Sequence, residues 1–275
     1  ILQARSMSAK IELRTLFKKQ ISLRTVSLLD ATVNLYREAK DKPANYQFII
    51  DTFSSKNQEE ESTPLNLRIN SLILRRVNLR YHELYELSTP GKVNLHHLDI
   101  QQLNANISLK SLRPELLQLR VRSLSFSEQS GFSLNNLSLK LSAEPGKAIL
   151  QDLEIGMPHS SLQMPLLTAT WQPQQDGSID GKTLRVEGGF NNATISTADL
   201  QCLPLPEHLL TTKRFDVQCT TAFRITPGQV EVTKLNLQET NGLFALAMSG
   251  NTSRKSNQWE RLQLDLNSLQ LAPQF

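Results

Sequence analysis

Apolar and polar residues alternate along most of this chain. Leu65, Leu67 and Ile69 are separated by single polar residues, as are Leu117, Leu119 and Val121, or Leu137, Leu139 and Leu141. The same spacing returns at Val230 and Val232, at Leu235 and Leu237, and at Leu262, Leu264 and Leu266. A period of two is what a strand with one covered face imposes, because successive side chains point to opposite sides. About a dozen such runs lie between Ile11 and Leu271, whereas spacing of three and four is rare. The pattern predicts an all-β chain.

The phase of the alternation slips at defined places. Apolar positions jump from Leu23 to Val26, from Ile69 to Leu72, from Leu74 to Val77 and from Leu266 to Leu269. A one-residue slip would send every later side chain to the wrong face, so each jump requires a bulge or a tight corner. Helical pieces are few. Pro43 and Asn45 precede Phe48, Ile49 and Phe53, which predicts a short helix over 45–53 with Asn45 as its N-cap. A second single turn is expected at 206–210, after Pro206. Residues 54–63 are polar and acidic and predict an exposed loop. None of these segments reads as an interdomain linker, so residues 1–275 are expected to form a single elongated β segment.

Composition narrows the class further. Among 275 residues there are 47 leucines, yet no stretch nears the roughly 18 consecutive apolar residues of a membrane-spanning helix. The net charge is +4, from 30 basic and 26 acidic side chains. The densest basic groups (Lys18 with Lys19, Arg75 with Arg76, and Arg113, Arg120 and Arg122) carry no interleaved aromatics, and aromatics are 6% overall. A nucleic-acid surface needs basic residues gathered with stacking rings, so no nucleic-acid partner is expected. Cys202 and Cys219 leave two readings open, buried thiols or one disulfide.

Catalytic and metal-binding signatures are missing. Gly181, Lys182 and Thr183 resemble the end of a phosphate loop, but position 176, where that motif needs glycine, is Asp176. His96 and His97 are adjacent, and on a strand their rings would point apart rather than share an ion. Cys202, Cys219 and His208 fall one ligand short of a structural zinc site. The expectation is a non-enzymatic protein with no catalytic residues, no metal and no cofactor.

One resemblance is carried by residues of the N-terminal third. Strand-like spacing runs from Ile21 and Leu23 through Val26 and Leu28 to Val33, Leu35, Tyr36 and Arg37; after a polar break come Asn45, Phe48, Ile49 and Ile50, then the block from Leu65 to Tyr81. This is similar to the AsmA-like family, and most closely to the TamB-type envelope proteins of Gram-negative bacteria, including their Bacteroidetes branch. Residues 232–271, with a Gly250–Asn251 turn, follow the same texture.

The resemblance implies a long, curved, mostly antiparallel sheet forming an open apolar groove, with one or two short helices. A closed β-sandwich or a β-helix is the alternative. It further implies a periplasmic protein, tethered to the inner membrane by a helix absent from this sequence, that shields phospholipid acyl chains during transport between the inner and outer membranes. Partner proteins in both membranes are implied as well. Assembly of outer-membrane proteins and a structural or adhesion β-module binding a protein partner are the alternatives. The residues expected to line the groove are Leu65, Leu67, Ile69, Leu137, Leu139, Leu141, Leu262, Leu264 and Leu266.

Overall fold

A computed structural model describes residues 1–11, 22–48, 68–113, 116–174, 179–206, 215–255 and 258–273. The chain is all-β, as its alternation predicts. The strands are β1 (Leu2–Ile11), β2 (Ser22–Arg37), β3 (Arg68–Ile69), β4 (Ser71–Glu83), β5 (His97–Arg113), β6 (Leu116–Glu128), β7 (Ser133–Leu134) and β8 (Asn136–Glu144). They continue as β9 (Lys147–Gly156), β10 (Ser161–Thr170), β11 (Arg185–Ser196), β12 (Asp216–Thr226), β13 (Gln229–Glu239), β14 (Phe244–Lys255) and β15 (Gln258–Leu271).

All fifteen join one sheet whose main path runs β1-β2-β4-β5-β6-β8 and then in sequence to β15, with β3 beside β2 and β7 beside β6. Pairing is mostly antiparallel, and β2 runs parallel to β3 and β4. The two ends of the path, β1 and β15, do not pair, so the sheet is open. The chain forms two compact units, one of residues 1–109, 121–135 and 202–204, the other of residues 110–120, 136–201 and 205–275.

In the first unit the phase slips become a line of bulges. Asp30 in β2, Arg76 in β4 and Gln102 in β5 all have positive φ, at 48°, 52° and 52°. Left-handed backbone costs a non-glycine residue about 1–2 kcal/mol, so the conformation must be held by something else. Side chains hold it here. The Arg76 amide donates to Asn104 Oδ1 (3.1 Å), the Gln102 amide donates to Asn78 Oδ1 (3.1 Å), and Asn104 Nδ2 donates to the Gln102 carbonyl (2.7 Å). The Arg76 guanidinium grips both carboxylate oxygens of Asp30, at 2.6 and 3.0 Å.

The bulges keep Leu28 and Leu74, which precede them, on one face with Ala31, Val33 and Val77, which follow. These residues pack with Leu103 and Ile100 in the unit's small core. The expected slips at Leu23/Val26 and Leu266/Leu269 also coincide with register shifts, opposite Lys10/Ile11 and Ala247/Met248. That at Ile69/Leu72 coincides with a bend at Asn70 between β3 and β4.

Buried polar groups sit at strand ends. Glu239, 1% exposed at the end of β13, accepts from the amides of Asn241 (2.7 Å) and Leu243 (3.1 Å) and from Asn241 Nδ2 (2.8 Å). Glu128, ending β6, accepts from the amides of Asp99 (3.1 Å) and Ser130 (2.7 Å). After β11, Ser196 caps a four-residue helix, α1 (Thr197–Leu200), by accepting from the Ala198 amide. Alternation offers no sign of α1, because four residues are too short to show a helical period. Of the helix expected over 45–53, Gln47 and Phe48 have helical backbone. Residues 49–53, the loop 54–63 and the turn at 207–210 lie outside the described residues.

Two outcomes follow from these contacts. Glu239→Ala leaves two part-buried amides without their carboxylate acceptor and should lower stability by about 1–3 kcal/mol in urea denaturation followed by circular dichroism, with Glu239→Gln less severe. The hydrogen bond from Arg76 holds the Asp30 carboxyl below its ordinary value of 3.8. Its contribution is therefore complete above that value and is lost as pH falls through the lower folded-state value. Asp30→Asn should flatten the fall in Tm between roughly pH 5 and pH 3; an unchanged acid profile would show that the pair does not couple to folding.

Candidate functional site

The second unit presents one apolar face assembled from rows that cross β8 to β15. Leu137 pairs with Ile155, Ile155 with Leu162, and Leu162 with Ala193. The row continues from Ala193 through Cys219, Leu237 and Leu246 to Leu269. A second row starts at Leu141, Leu150 and Leu167, crosses Gly188, Phe223, Val232 and Gly250, and ends at Leu264. Cross-strand partners share a face, so each row is a continuous apolar line. A third joins Ala143, Ala148, Ala169, Val186, Ile225, Val230, Thr252 and Leu262 by the same pairings.

The rows stay on one side only because bulges recur at matching levels. Asp152 has φ 51°, opposite a shift in β8 between Ser138 and Lys140. Pro165 in β10 pairs with neither neighbour, as its missing N–H requires. In β11 the register shifts between Phe190 and Ala193. The reverse face is polar: Thr168, Glu187, Arg224, Glu231, Asn251 and Gln263 form a row. Arg224 Nε donates to Glu187 Oε1 at 2.7 Å and Arg224 Nη1 reaches Glu231 Oε2 at 3.4 Å.

Two glycines stand among the large side chains of the second row. At Gly188 a Cβ would lie 2.6 Å from Leu167 Cδ1, and at Gly250 it would lie 2.9 Å from Leu264 Cδ2 and 2.7 Å from the Gln263 carbonyl oxygen. Leu167 and Leu264 therefore lie over their glycine neighbours, close to the backbone. Beside Gly250 is a depression of about 120 Å³ with a wholly apolar accessible lining, bounded by Val230, Val232, Leu235, Met248, Leu262 and Leu264.

This face lacks a closed core. Among the described residues of the second unit, Met164 and Ala193 are the buried hydrophobics, and the other large side chains of the rows are half-buried or exposed. On β15, Leu262, Leu264 and Leu266 are 69%, 57% and 60% exposed. The unit's described residues hold no second sheet, and α1 is their one helix.

The structure thus places Leu137, Leu139 and Leu141 on β8 and Leu262, Leu264 and Leu266 on β15, at the two borders of one apolar face. Leu262 and Leu264 meet at the apolar depression. Ile69 ends β3 in the first unit, on a strand separate from these rows. Leu65 and Leu67 lie outside the described residues. Leu150, Phe223, Val232 and Met248 belong to the face as fully as the leucines named from sequence. Period-two spacing marks each of them, but only cross-strand register shows which face each run shares.

Other chemistry-bearing groups are engaged locally. His96 Nδ1 lies 2.6 Å from Glu83 Oε2, His82 Nε2 lies 3.0 Å from Asp99 Oδ2, and His97 Nε2 lies 2.7 Å from the Glu86 carbonyl. The adjacent His96 and His97 therefore take separate partners. Hydrogen bonds from Tyr81 and then His96 hold the Glu83 carboxyl below its ordinary range. Cys202 and Cys219 are free thiols, and burial pushes that of Cys219 up. Among the described residues, no three His, Cys, Asp or Glu side chains converge as a metal site. Comparison of the chain with family models, curated proteins and solved structures finds no match.

The glycine rows give a graded test. A Cβ at Gly189 would stand 2.3 Å from the Thr221 carbonyl oxygen, which is backbone, whereas at Gly188 the nearest atom is a movable Leu167 methyl. Gly189→Ala should destabilise by about 2–3 kcal/mol or more and Gly188→Ala by less, read from denaturation midpoints. Equal losses would mean that the β11–β12 backbones part easily.

Proposed function

We propose that the apolar face of β8–β15 shields the acyl chains of a phospholipid, without catalysis, in lipid transport between the membranes of a Gram-negative envelope. The carrying observation is the set of apolar rows that cross eight strands and whose large side chains remain half-buried or exposed. The resemblance of the N-terminal third to AsmA-like, TamB-type proteins supplies the envelope setting, with periplasmic residence and membrane-protein partners.

Energetics favour a two-chain lipid. Each buried methylene contributes about 0.8 kcal/mol. Covering eight methylenes of one chain yields about 6 kcal/mol, near the low end of the roughly 4–15 kcal/mol lost in association. A second chain doubles the gain on the same face. Gly188 and Gly250 keep the second row low, giving a chain a shallow bed beside Leu167 and Leu264. A head group left in solvent loses no hydration, so the face requires no buried charge partner.

Native mass spectrometry of the chain purified from bacteria, with lipid extraction, should find bound phospholipid. Leu264→Asp, at an exposed site on the face, should leave the circular dichroism spectrum intact while cutting phospholipid occupancy several-fold. Gln263→Asp, on the reverse face, should leave occupancy unchanged. Lipid-free protein, or equal occupancy in both variants, overturns the reading.

A further inference from the structure

At places on the second unit's polar face, charges neutralise one another across strands. Glu187, Arg224 and Glu231 alternate in sign, and Lys140 Nζ donates to Asp152 Oδ2 at 2.7 Å. Elsewhere basic side chains gather around one depression. This depression, of about 350 Å³, is lined by Lys110 of β5, Arg120 of β6 and Lys140 of β8, three successive strands of the sheet. Gln118, Ser142 and Gln151 complete its polar lining, and no carboxylate lines it.

Lys110 and Arg120 are exposed and have no ion pair among the described residues, so even with Lys140 held by Asp152 two positive charges stand uncompensated. Like charges gathered around one depression repel one another, whereas Glu187, Arg224 and Glu231 alternate in sign across their strands. What would offset that repulsion is an anion. The side-chain donors are a planar guanidinium, two ammonium groups, two amides and a hydroxyl, a set that suits the oxygens of a phosphate group.

We infer that this depression binds a phosphate group, carried either by a small soluble molecule or by a lipid head group. Lys140 and Gln151, which pair across β8 and β9, line it, and so do Leu119 and Leu141, the latter being the first residue of the second apolar row. The inference is argued from the basic lining and does not rest on acyl-chain binding along the rows.

The test uses the whole chain, uniformly labelled with ¹⁵N, and two probes. Titration with inorganic phosphate should give saturable shifts at the amides of 118–120 and 140–142. Sedimentation with phosphatidylcholine vesicles, with and without phosphatidylglycerol, reads the head-group source. The double variant Lys110→Ala/Arg120→Ala alters exposed side chains, keeps the fold, and should weaken whichever binding is seen by about tenfold or more. Lys182→Ala, a distant exposed control, should not. Saturable phosphate shifts without pelleting assign a soluble phosphate compound, and pelleting that requires phosphatidylglycerol assigns a head group. Binding of neither probe, or equal binding by the double variant and Lys182→Ala, overturns the inference.

Discussion

A strand has two faces, and a side chain's face is decided by counting residues. Everything else in this protein depends on keeping that count the same in neighbouring strands. Strands of ten to seventeen residues, such as β1 and β5, would lose register with one another if each were regular to its end. Bulges restore it. Asp30, Arg76 and Gln102 do so at one level in the first unit, with Asp152, Pro165 and the Phe190–Ala193 segment at one level in the second. The backbone cost at the positive-φ residues of the first unit is offset by neighbouring side chains, most directly by the Arg76–Asp30 pair.

With register held, the sheet needs little interior. The first unit's core centres on Ala31, Val77 and Leu103, and the second unit adds two buried hydrophobics among its described residues. Cohesion comes instead from long cross-strand ladders and from carboxylates seated at strand ends. Glu128 and Glu239 satisfy amides that would otherwise be stranded where the ladder stops. That division of labour leaves the large side chains of an apolar face half-buried or exposed.

The fold was legible because its signals are local. Period-two spacing marks β8 at Leu137, Leu139 and Leu141, and the slips at Leu74/Val77 and Leu266/Leu269 name bulges that pairing then shows. What stayed hidden depends on register between distant segments. Lys110, Arg120 and Lys140 look scattered in sequence and meet only because β5, β6 and β8 are neighbours. The parallel pairing of β2 with β4 leaves no periodic trace, since either direction gives the same alternation. Slips at Asp152 and Pro165 are masked by flanking residues, Gln151 and Leu166, that break the apolar pattern on both sides.

The matched levels of the bulges have an evolutionary consequence. A single inserted residue in any one strand would rotate the rest of that strand out of its rows, so short insertions within strands are nearly forbidden. Adding or removing a whole antiparallel hairpin that carries its own bulges leaves every remaining row intact. The hairpin, not the residue, is the unit in which such a sheet changes length, and its width can drift while its two faces stay chemically constant.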